Sequence, residues 1–346
     1  MAQPVARSFV VCLLLAALAP AWLLGQPAIP AIQPDQARPA QFQATLDSPG
    51  LALAYNEADG TLVVAEENGV LQYWQKPALL GVRSGESTPL ILRGHTAPVT
   101  ALAWSTGPTL ASGGADGKIL LWSMNAGAVT STLTGSTGII RALAMSPDGK
   151  LLASGGDDAA VYLWEVASGK LLRKLEGHAG WVMALAFSAD GKLLATAGYE
   201  PLIRLWDVTT GAKVREFANV TPMPAGQVNF VMCLAFSPDG KRLAAGGTDA
   251  QIRLFDTTNG NQVVACAGHT SSVMSLAFHM SGTVLLSGSK DRTVRLWEAA
   301  SGKLLKSLEG HQSWVEGIAL VHQGSMVASV SADRSVRMWD LRPQPK

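Results

Sequence analysis

An aromatic residue recurs along this chain at a nearly constant step. The steps between successive positions are 48, 42, 42, 49, 42 and 42 residues, and the seven positions are Trp74, Trp122, Trp164, Trp206, Phe255, Trp297 and Trp339. A repeat of this length is typical of folds in which each unit is one supersecondary element that buries its apolar surface against its neighbours. The sequence therefore predicts seven units of one kind, stacked on each other.

Each unit contains four runs with strand character. In the fourth unit these runs cover residues 182–187, 192–198, 202–208 and 212–217. Hairpin-turn dipeptides separate the runs, and examples are Asp148-Gly149, Asp190-Gly191, Asp239-Gly240, Ser168-Gly169 and Ser301-Gly302. We expect each unit to be a four-stranded antiparallel sheet, and the fold class to be all-β.

Two dipeptides recur in register with the aromatic anchor. Gly-His occurs at 94–95, 177–178, 268–269 and 310–311, and Trp-Asp or Trp-Glu occurs at 164–165, 206–207, 297–298 and 339–340. In these pairs the chain resembles the WD-repeat family over roughly residues 41 to 341. The resemblance implies a seven-bladed β-propeller that serves as a platform for other proteins, with no enzymatic activity and no cofactor.

The resemblance also implies a buried tetrad of His, Ser or Thr, Asp and Trp in each unit. Three units carry all four members: His95, Ser112, Asp116, Trp122; His269, Ser287, Asp291, Trp297; and His311, Ser329, Asp333, Trp339. His, Ser and Asp together also suggest a hydrolase, but their repetition at a fixed distance from a Trp favours a structural role.

The other units depart from the tetrad, and we expect their blades to be less rigid because a missing member leaves polar neighbours short of partners. The third unit has Ser136 for the His, and the fourth has Glu200 for the Asp. The fifth has Gln227, Ala245 and Phe255, and the first keeps only Trp74, with Leu46, Val64 and Asn68 at the other positions.

The last unit lacks a fourth strand of its own after Asp340. The unassigned strand-like stretch is Ala40 to Leu46, and pairing it with the Trp339 strand would close the ring and remove the open sheet edges. We therefore assign residues 40–346 to one monomeric propeller. Residues 26–39 hold four prolines and predict an extended tether.

The first 25 residues read as a signal peptide. Arg7 supplies a cationic start, and Phe9 to Leu18 form an unbroken apolar run of ten residues. This pattern predicts export to a periplasmic or extracellular compartment. The alternative is an uncleaved membrane anchor, because Trp22, Leu23 and Leu24 extend the apolar segment.

Composition and spacing argue against several classes of ligand. The formal net charge is +1 and no run of Lys or Arg occurs, so we do not expect a nucleic-acid partner. The histidines outside the Gly-His pairs, His279 and His322, have no Cys or carboxylate at ligand spacing, so we expect no metal site.

Two cysteines lie within the repeats. An exported pair invites a disulfide. The repeat register places Cys233 on an innermost strand and Cys266 on an outermost strand of the same blade, and two intervening strands about 4.8 Å apart put them beyond disulfide reach. We expect two thiols.

The family exposes certain positions on the upper face of the ring, three and five residues after the His and one before the turn Asp. Large side chains concentrate at these positions in the fourth and fifth units, and the predicted partner-binding residues are Ile139, Arg141, Trp181, Met183, Tyr199, Phe230, Met232, Met274 and Trp314. The alternative interpretations are that some of these residues fill the mouth of the channel, that the mouth holds a small-ligand or enzymatic site, and that the chain is a structural envelope component.

Overall fold

The computed structural model describes residues 32–75, 88–104, 107–218 and 229–342. In this part of the chain there are 28 strands and one 3-10 turn, Pro34–Gln36. The strands form seven four-stranded antiparallel sheets, which we call blades 1 to 7. The predicted all-β, seven-bladed propeller is confirmed.

In blades 1 to 4, the order of strands in the sheet follows the chain. Blade 1 contains β2 (Gly50–Asn56), β3 (Thr61–Glu66), β4 (Val70–Trp74) and β5 (Leu90–Arg93). Blade 2 contains β6 (Val99–Trp104), β7 (Thr109–Gly114), β8 (Ile119–Ser123) and β9 (Ala128–Leu133). Blade 3 contains β10 (Ile140–Met145), β11 (Leu151–Gly156), β12 (Val161–Glu165) and β13 (Lys170–Leu175). Blade 4 contains β14 (Val182–Phe187), β15 (Leu193–Gly198), β16 (Glu200–Asp207) and β17 (Lys213–Ala218).

Blades 5 and 6 follow the same order, whereas blade 7 combines both ends of the chain. Blade 5 contains β18 (Val231–Phe236), β19 (Arg242–Gly247), β20 (Ile252–Asp256) and β21 (Gln262–Cys266). Blade 6 contains β22 (Val273–Phe278), β23 (Val284–Ser289), β24 (Val294–Glu298) and β25 (Leu304–Leu308). Blade 7 contains β26 (Val315–Val321), β27 (Met326–Ser331), β28 (Ser335–Asp340) and, as its outer strand, β1 (Arg38–Thr45).

The strand β1 closes the ring. It runs antiparallel to β28, with Arg38 opposite Asp340 and Thr45 opposite Ser335. The predicted closure by the N-terminal strand is confirmed, and the strand begins two residues earlier than predicted. The backbone N–H of Gln33 also donates to the carbonyl of Leu341 at 3.0 Å, so the end of the segment predicted as a tether belongs to the fold. The predicted signal segment lies outside the described residues.

The depth of each strand in its blade determines how much of it is buried. The first strands are innermost and contact the first strands of the blades on either side, around the whole ring. Every residue of β14 is buried, because both faces of its sheet are covered by neighbouring blades, whereas five of the six residues of the outer strand β13 are exposed. The core therefore lies between the blades, as seven stacked sheets require.

Small residues on the second strands let neighbouring blades approach closely. A Cβ added at Gly155 of blade 3 would lie 2.5 Å from a Val182 methyl group of blade 4. Only hydrogen fits there. Packing between blades 3 and 4 therefore requires the Gly at position 155.

Cys233 and Cys266 form no disulfide, as predicted. Cys233 lies on the innermost strand and Cys266 on the outermost strand of blade 5, and both are buried. Burial raises the pKa of the Cys266 thiol to about 12. Both cysteines therefore act as small apolar side chains of the core.

Candidate functional site

The tetrads lie inside the blades. In blade 2, Nδ1 of His95 is 3.0 Å from the Asp116 carboxylate and Nε2 is 2.7 Å from the Ser112 hydroxyl. The Trp122 indole N–H donates to the same hydroxyl at 2.7 Å. Blades 6 and 7 repeat this chain of hydrogen bonds, with His-to-Asp distances of 2.6 and 3.0 Å and Trp-to-Ser distances of 2.8 and 2.9 Å.

Burial and hydrogen bonding fix the charge of these groups. Burial lowers the pKa of His95 and of His269, so their rings are neutral near pH 7. Burial raises the pKa of Asp291, but hydrogen bonds from His269 and Thr293 outweigh it and hold this pKa below its usual range. The neutral imidazole therefore donates from Nδ1 to an ionised carboxylate. The Ser287 side chain is fully buried, so this set stabilises the blade and offers a substrate no access to the hydroxyl.

The units that depart from the tetrad use other polar pairs. In blade 4, Glu200 accepts from His178 at 2.6 Å and pairs with Arg204, which enters from the third strand. In blade 3, the Ser136 hydroxyl donates to Asp158 at 2.8 Å. Nothing in the repeat pattern marks Arg204, because its role depends on a third strand that begins at Glu200 itself.

Blade 5 also holds its turn acid with polar side chains. The Asn229 amide donates to Asp249 at 2.9 Å, and Arg253 donates to it at 2.6 Å. Gln227, the predicted member, lies outside the described residues.

In blade 1, the indole N–H of Trp74 has no acceptor among the described residues. Val64 stands ten residues before Trp74, where the other Trp-bearing blades place Ser or Thr. Blade 5 avoids this mismatch, because Ala245 and Phe255 replace both members of the pair by apolar groups.

A β-bulge occurs at the same point of every first strand. The pairing between first and second strands skips one residue in each blade, and the skipped residues are Leu51, Thr100, Arg141, Met183, Met232, Met274 and Glu316. A bulge turns one extra side chain away from the regular alternation. All seven side chains belong to innermost strands, and all are between 0 and 4 % exposed.

Four of the residues predicted to bind a partner lie at these bulges and are buried. Met183, Met232 and Met274 contact each other across three neighbouring blades, with Trp181 and Phe230 packed against them. Together with Arg141 they are buried, whereas the prediction placed them on the surface. The methionines form a buried cluster on the innermost strands of blades 4, 5 and 6.

Turns and loops of successive blades meet at the upper face. The backbone N–H of Tyr199, between the second and third strands of blade 4, donates to the carbonyl of Trp181 at 2.8 Å. In the same way Lys290 donates to Ser272, and Ala332 donates to Trp314, each at 2.9 Å. The residues just before the first strands and those of these turns therefore share one face.

Four side chains stack in a row on this face, and we call Arg141, Trp181, Tyr199 and Phe230 the aromatic column. The guanidinium carbon of Arg141 lies 4.3 Å from the ring centroid of Trp181. The rings of Trp181 and Tyr199 are 4.9 Å apart at 44°, and those of Tyr199 and Phe230 are 3.6 Å apart at 14°. Arg141 also forms an ion pair with Asp157. The column therefore joins blades 3, 4 and 5.

Exposure along the column is uneven. Tyr199 is 47 % exposed, whereas Trp181 and Phe230 are partly buried and Arg141 is buried. Phe230 stacks on the Tyr199 ring and Trp181 contacts it at a tilt, so the ring is held by both neighbours while almost half of the residue stays exposed. Of the remaining predicted residues, Ile139 and Trp314 are partly buried, and Trp314 lies beneath the Lys290 ammonium group at 4.3 Å.

The column and the tetrads do not form a metal site. Among residues 32–75, 88–104, 107–218 and 229–342, no three His, Cys, Asp or Glu side chains are grouped as metal ligands would be.

Seven four-stranded blades, five of them with a Trp-to-Ser or Trp-to-Thr hydrogen bond, define a WD-repeat β-propeller. A family model described as WD domain, G-beta repeat matches residues 87–123. A second, described as Nucleolar protein 10-like, N-terminal domain, matches residues 125–341, more than half of the chain. The chain therefore belongs to the nucleolar protein 10-like, N-terminal domain family of WD-repeat propellers. None of the curated proteins compared with the chain matches it.

The prediction of export is wrong. The family to which the chain belongs is described as nucleolar, which contradicts a periplasmic or extracellular location. The apolar run at residues 9–18 had suggested a signal peptide, and a short apolar run is a weak local signal compared with a match over the repeats. No helix in the described part of the chain is long and apolar enough to cross a membrane.

Proposed function

We propose that this propeller is a non-enzymatic scaffold that binds a partner protein at the aromatic column on its upper face. The observation that carries the proposal is Tyr199, which is 47 % exposed although its ring is fixed on both sides. The membership in a WD-repeat family supports the general role of an interaction platform.

The position of Tyr199 distinguishes it from the other exposed apolar side chains. Eight other large apolar residues in the described part of the chain are exposed, and all lie on outer strands: Leu90, Ile91, Val129, Leu171, Leu172, Val214, Val263 and Leu304. These are single aliphatic side chains spread around the rim, which is ordinary for a protein surface. Tyr199 is aromatic and lies where three blades meet.

The stacking makes the column a rigid contact. A side chain that is already held by its neighbours loses little conformational freedom when a partner covers it, so more of the contact energy contributes to affinity. Tyr, Trp and Arg are also the residue types that dominate measured interface energies. The buried Met183, Met232 and Met274 pack against Trp181 and Phe230 of the column.

Site-specific photo-crosslinking tests this proposal. A photoreactive phenylalanine analogue at Tyr199 should crosslink a protein from cells that make this chain. The same analogue at Lys150, whose side chain is 79 % exposed in the hairpin turn at the opposite ends of the strands, serves as a matched control. If every protein that is crosslinked from position 199 is also crosslinked from position 150, the proposal is contradicted.

A further inference from the structure

The turns between second and third strands share a backbone feature. The residue after the turn Asp or Asn lies in the left-handed region in six blades of the described chain, with φ between +60° and +84°. It is Gly in blades 1 and 2, Ala in blades 3 and 5, and Arg in blades 6 and 7: Gly69, Gly117, Ala159, Ala250, Arg292 and Arg334. The same turn is therefore built with the residue that suits it best in some blades and with an unfavourable residue in others.

Arginine is a costly choice at this position. A side chain with a Cβ is strained at positive φ, and Gly avoids the strain. Both Arg292 and Arg334 are exposed, and neither forms an ion pair within the described residues. Neither guanidinium is used in an ion pair of the described fold, and because blades 3 and 5 carry Ala at the same turn position, blades 6 and 7 differ from them by offering a charged group there.

The surroundings of the two arginines are cationic. Lys290 lies on the same turn as Arg292 and stacks on Trp314 of blade 7. The turn acids Asp291 and Asp333 are buried against His269 and His311. Glu309 is the exposed acid of the loop between the two blades. Blades 6 and 7 thus present three cations and one exposed acid on the upper face, directly after the blade that carries Phe230.

We infer that blades 6 and 7 recognise an acidic peptide segment whose apolar residues lie on the aromatic column. The inference rests on the proposed function and specifies the chemistry of its partner. Charge complementarity selects carboxylates for Lys290, Arg292 and Arg334, since guanidinium groups bind carboxylates with two parallel hydrogen bonds.

A nucleic acid fits this surface less well. Binding to single-stranded RNA relies on open aromatic faces for base stacking and on an extended cationic groove. Phe230 already stacks on the Tyr199 ring and Trp181 lies tilted against it, and the formal net charge of the chain is only +1. The surface therefore offers partly covered rings and a short cationic patch, which suit a peptide.

Two fluorescein-labelled peptides test the inference by fluorescence anisotropy. One has six glutamates followed by Leu, Pro, Phe and Leu, and the other has six glutamines in place of the glutamates. The full chain should bind the acidic peptide roughly tenfold more tightly, and 0.5 M NaCl should abolish the difference, because exposed charges are screened at high salt. Equal affinities, or no binding of either peptide, would overturn the inference.

Glycine substitutions separate binding from folding. The double variant Arg292→Gly/Arg334→Gly should weaken acidic-peptide binding by about twofold for each arginine, because exposed ion pairs are individually weak. Its melting temperature should stay the same or rise by about 1 to 2 °C, since the strain is relieved. The matched control Ala159→Gly/Ala250→Gly relieves strain at equivalent turns and should leave binding unchanged.

A third variant and a third probe distinguish the remaining outcomes. Tyr199→Ala should weaken both peptides by the same factor, because it removes the apolar contact and leaves the charges. If Tyr199→Ala weakens binding and the arginine variant does not, the inference fails and the proposed function stands. If the arginine double variant weakens peptide binding and Tyr199→Ala does not, the peptide does not contact the aromatic column. Binding of a ten-nucleotide uridine RNA that depends on the arginines, with no acidic-peptide binding, would replace the inference by nucleic-acid recognition.

Discussion

The substitution Val64→Thr tests whether the repeated Trp-to-hydroxyl bond stabilises each blade. In blade 1 the buried indole N–H of Trp74 has no acceptor among the described residues, and Val64 is fully buried ten residues earlier. Pairing within the sheet is the same as in blade 2, since Leu62 lies opposite Trp74 as Leu110 lies opposite Trp122. A hydroxyl at position 64 should therefore reach the indole.

The expected magnitude follows from two opposing contributions. Burying a hydroxyl without a partner costs about 1 to 3 kcal/mol, and an unsatisfied buried donor costs a similar amount. Val64→Thr joins the two groups, so the free energy of unfolding should stay the same or rise by up to about 1 kcal/mol. Blade 4 shows that Thr fits this role, because Thr196 accepts from Trp206 at 2.8 Å.

Blade 5 provides the matched control. Ala245→Ser places a hydroxyl at the equivalent position opposite Phe255, which has no N–H to donate, so this variant should lose about 1 to 2 kcal/mol. For a chain of this size each kcal/mol corresponds to roughly 1 to 2 °C in melting temperature. Differential scanning calorimetry of both variants measures the difference. Equal destabilisation of Val64→Thr and Ala245→Ser would refute the reasoning.

Three further predictions concern closure, the tetrads and pH. Deleting residues 38–45 should lower the melting temperature and cause association through the exposed edge of β28; a monomer with unchanged melting by light scattering and calorimetry would contradict the closure. Asp291→Ala should cost roughly 1 to 3 kcal/mol in urea unfolding and spare partner binding, whereas loss of binding without loss of stability would argue against a structural tetrad. Burial and the Arg204 charge lower the pKa of His178 from 6.5 to about 4, so the stability this ring contributes is complete above pH 6.5 and is lost as the pH falls towards 4. Between these two pH values the ring should make the free energy of unfolding fall by about 1.4 kcal/mol for each pH unit, which corresponds to one bound proton. Urea unfolding of His178→Gln at several pH values should show a pH dependence that is smaller by this amount.

Spacing in the sequence was enough to predict the ring. The recurring Trp established seven units, and the missing fourth strand after Asp340 identified residues 40–46 as the closing strand, which the structure shows as β1. The separation of Cys233 and Cys266 followed from the same register. These features depend on repetition along the chain, which a single sequence displays directly.

The upper face could be predicted only in part. A regular alternation of side chains places Met183 outward, but a bulge occurs at this residue, which is buried, and no residue type marks a bulge. The stacking of Arg141 on Trp181 joins residues 40 positions apart on different blades, which a count along one unit does not reveal. The left-handed backbone conformation of Arg292 is likewise not indicated by its residue type, because Gly is the residue that favours this conformation.

The central claim is that a partner binds at Tyr199, and calorimetric titration of the partner against Tyr199→Ala measures it most directly. The account predicts a loss of affinity of about 30-fold, equivalent to about 2 kcal/mol, with the melting temperature lowered only by the lost ring contacts, about 1 to 2 °C, because Tyr199 is the exposed member of the column. Trp181→Ala is less suitable, since Trp181 packs on the buried methionines and its loss should also reduce stability. Lys150→Ala should bind as the unsubstituted protein does. Equal affinity for Tyr199→Ala and the unsubstituted protein would contradict the account.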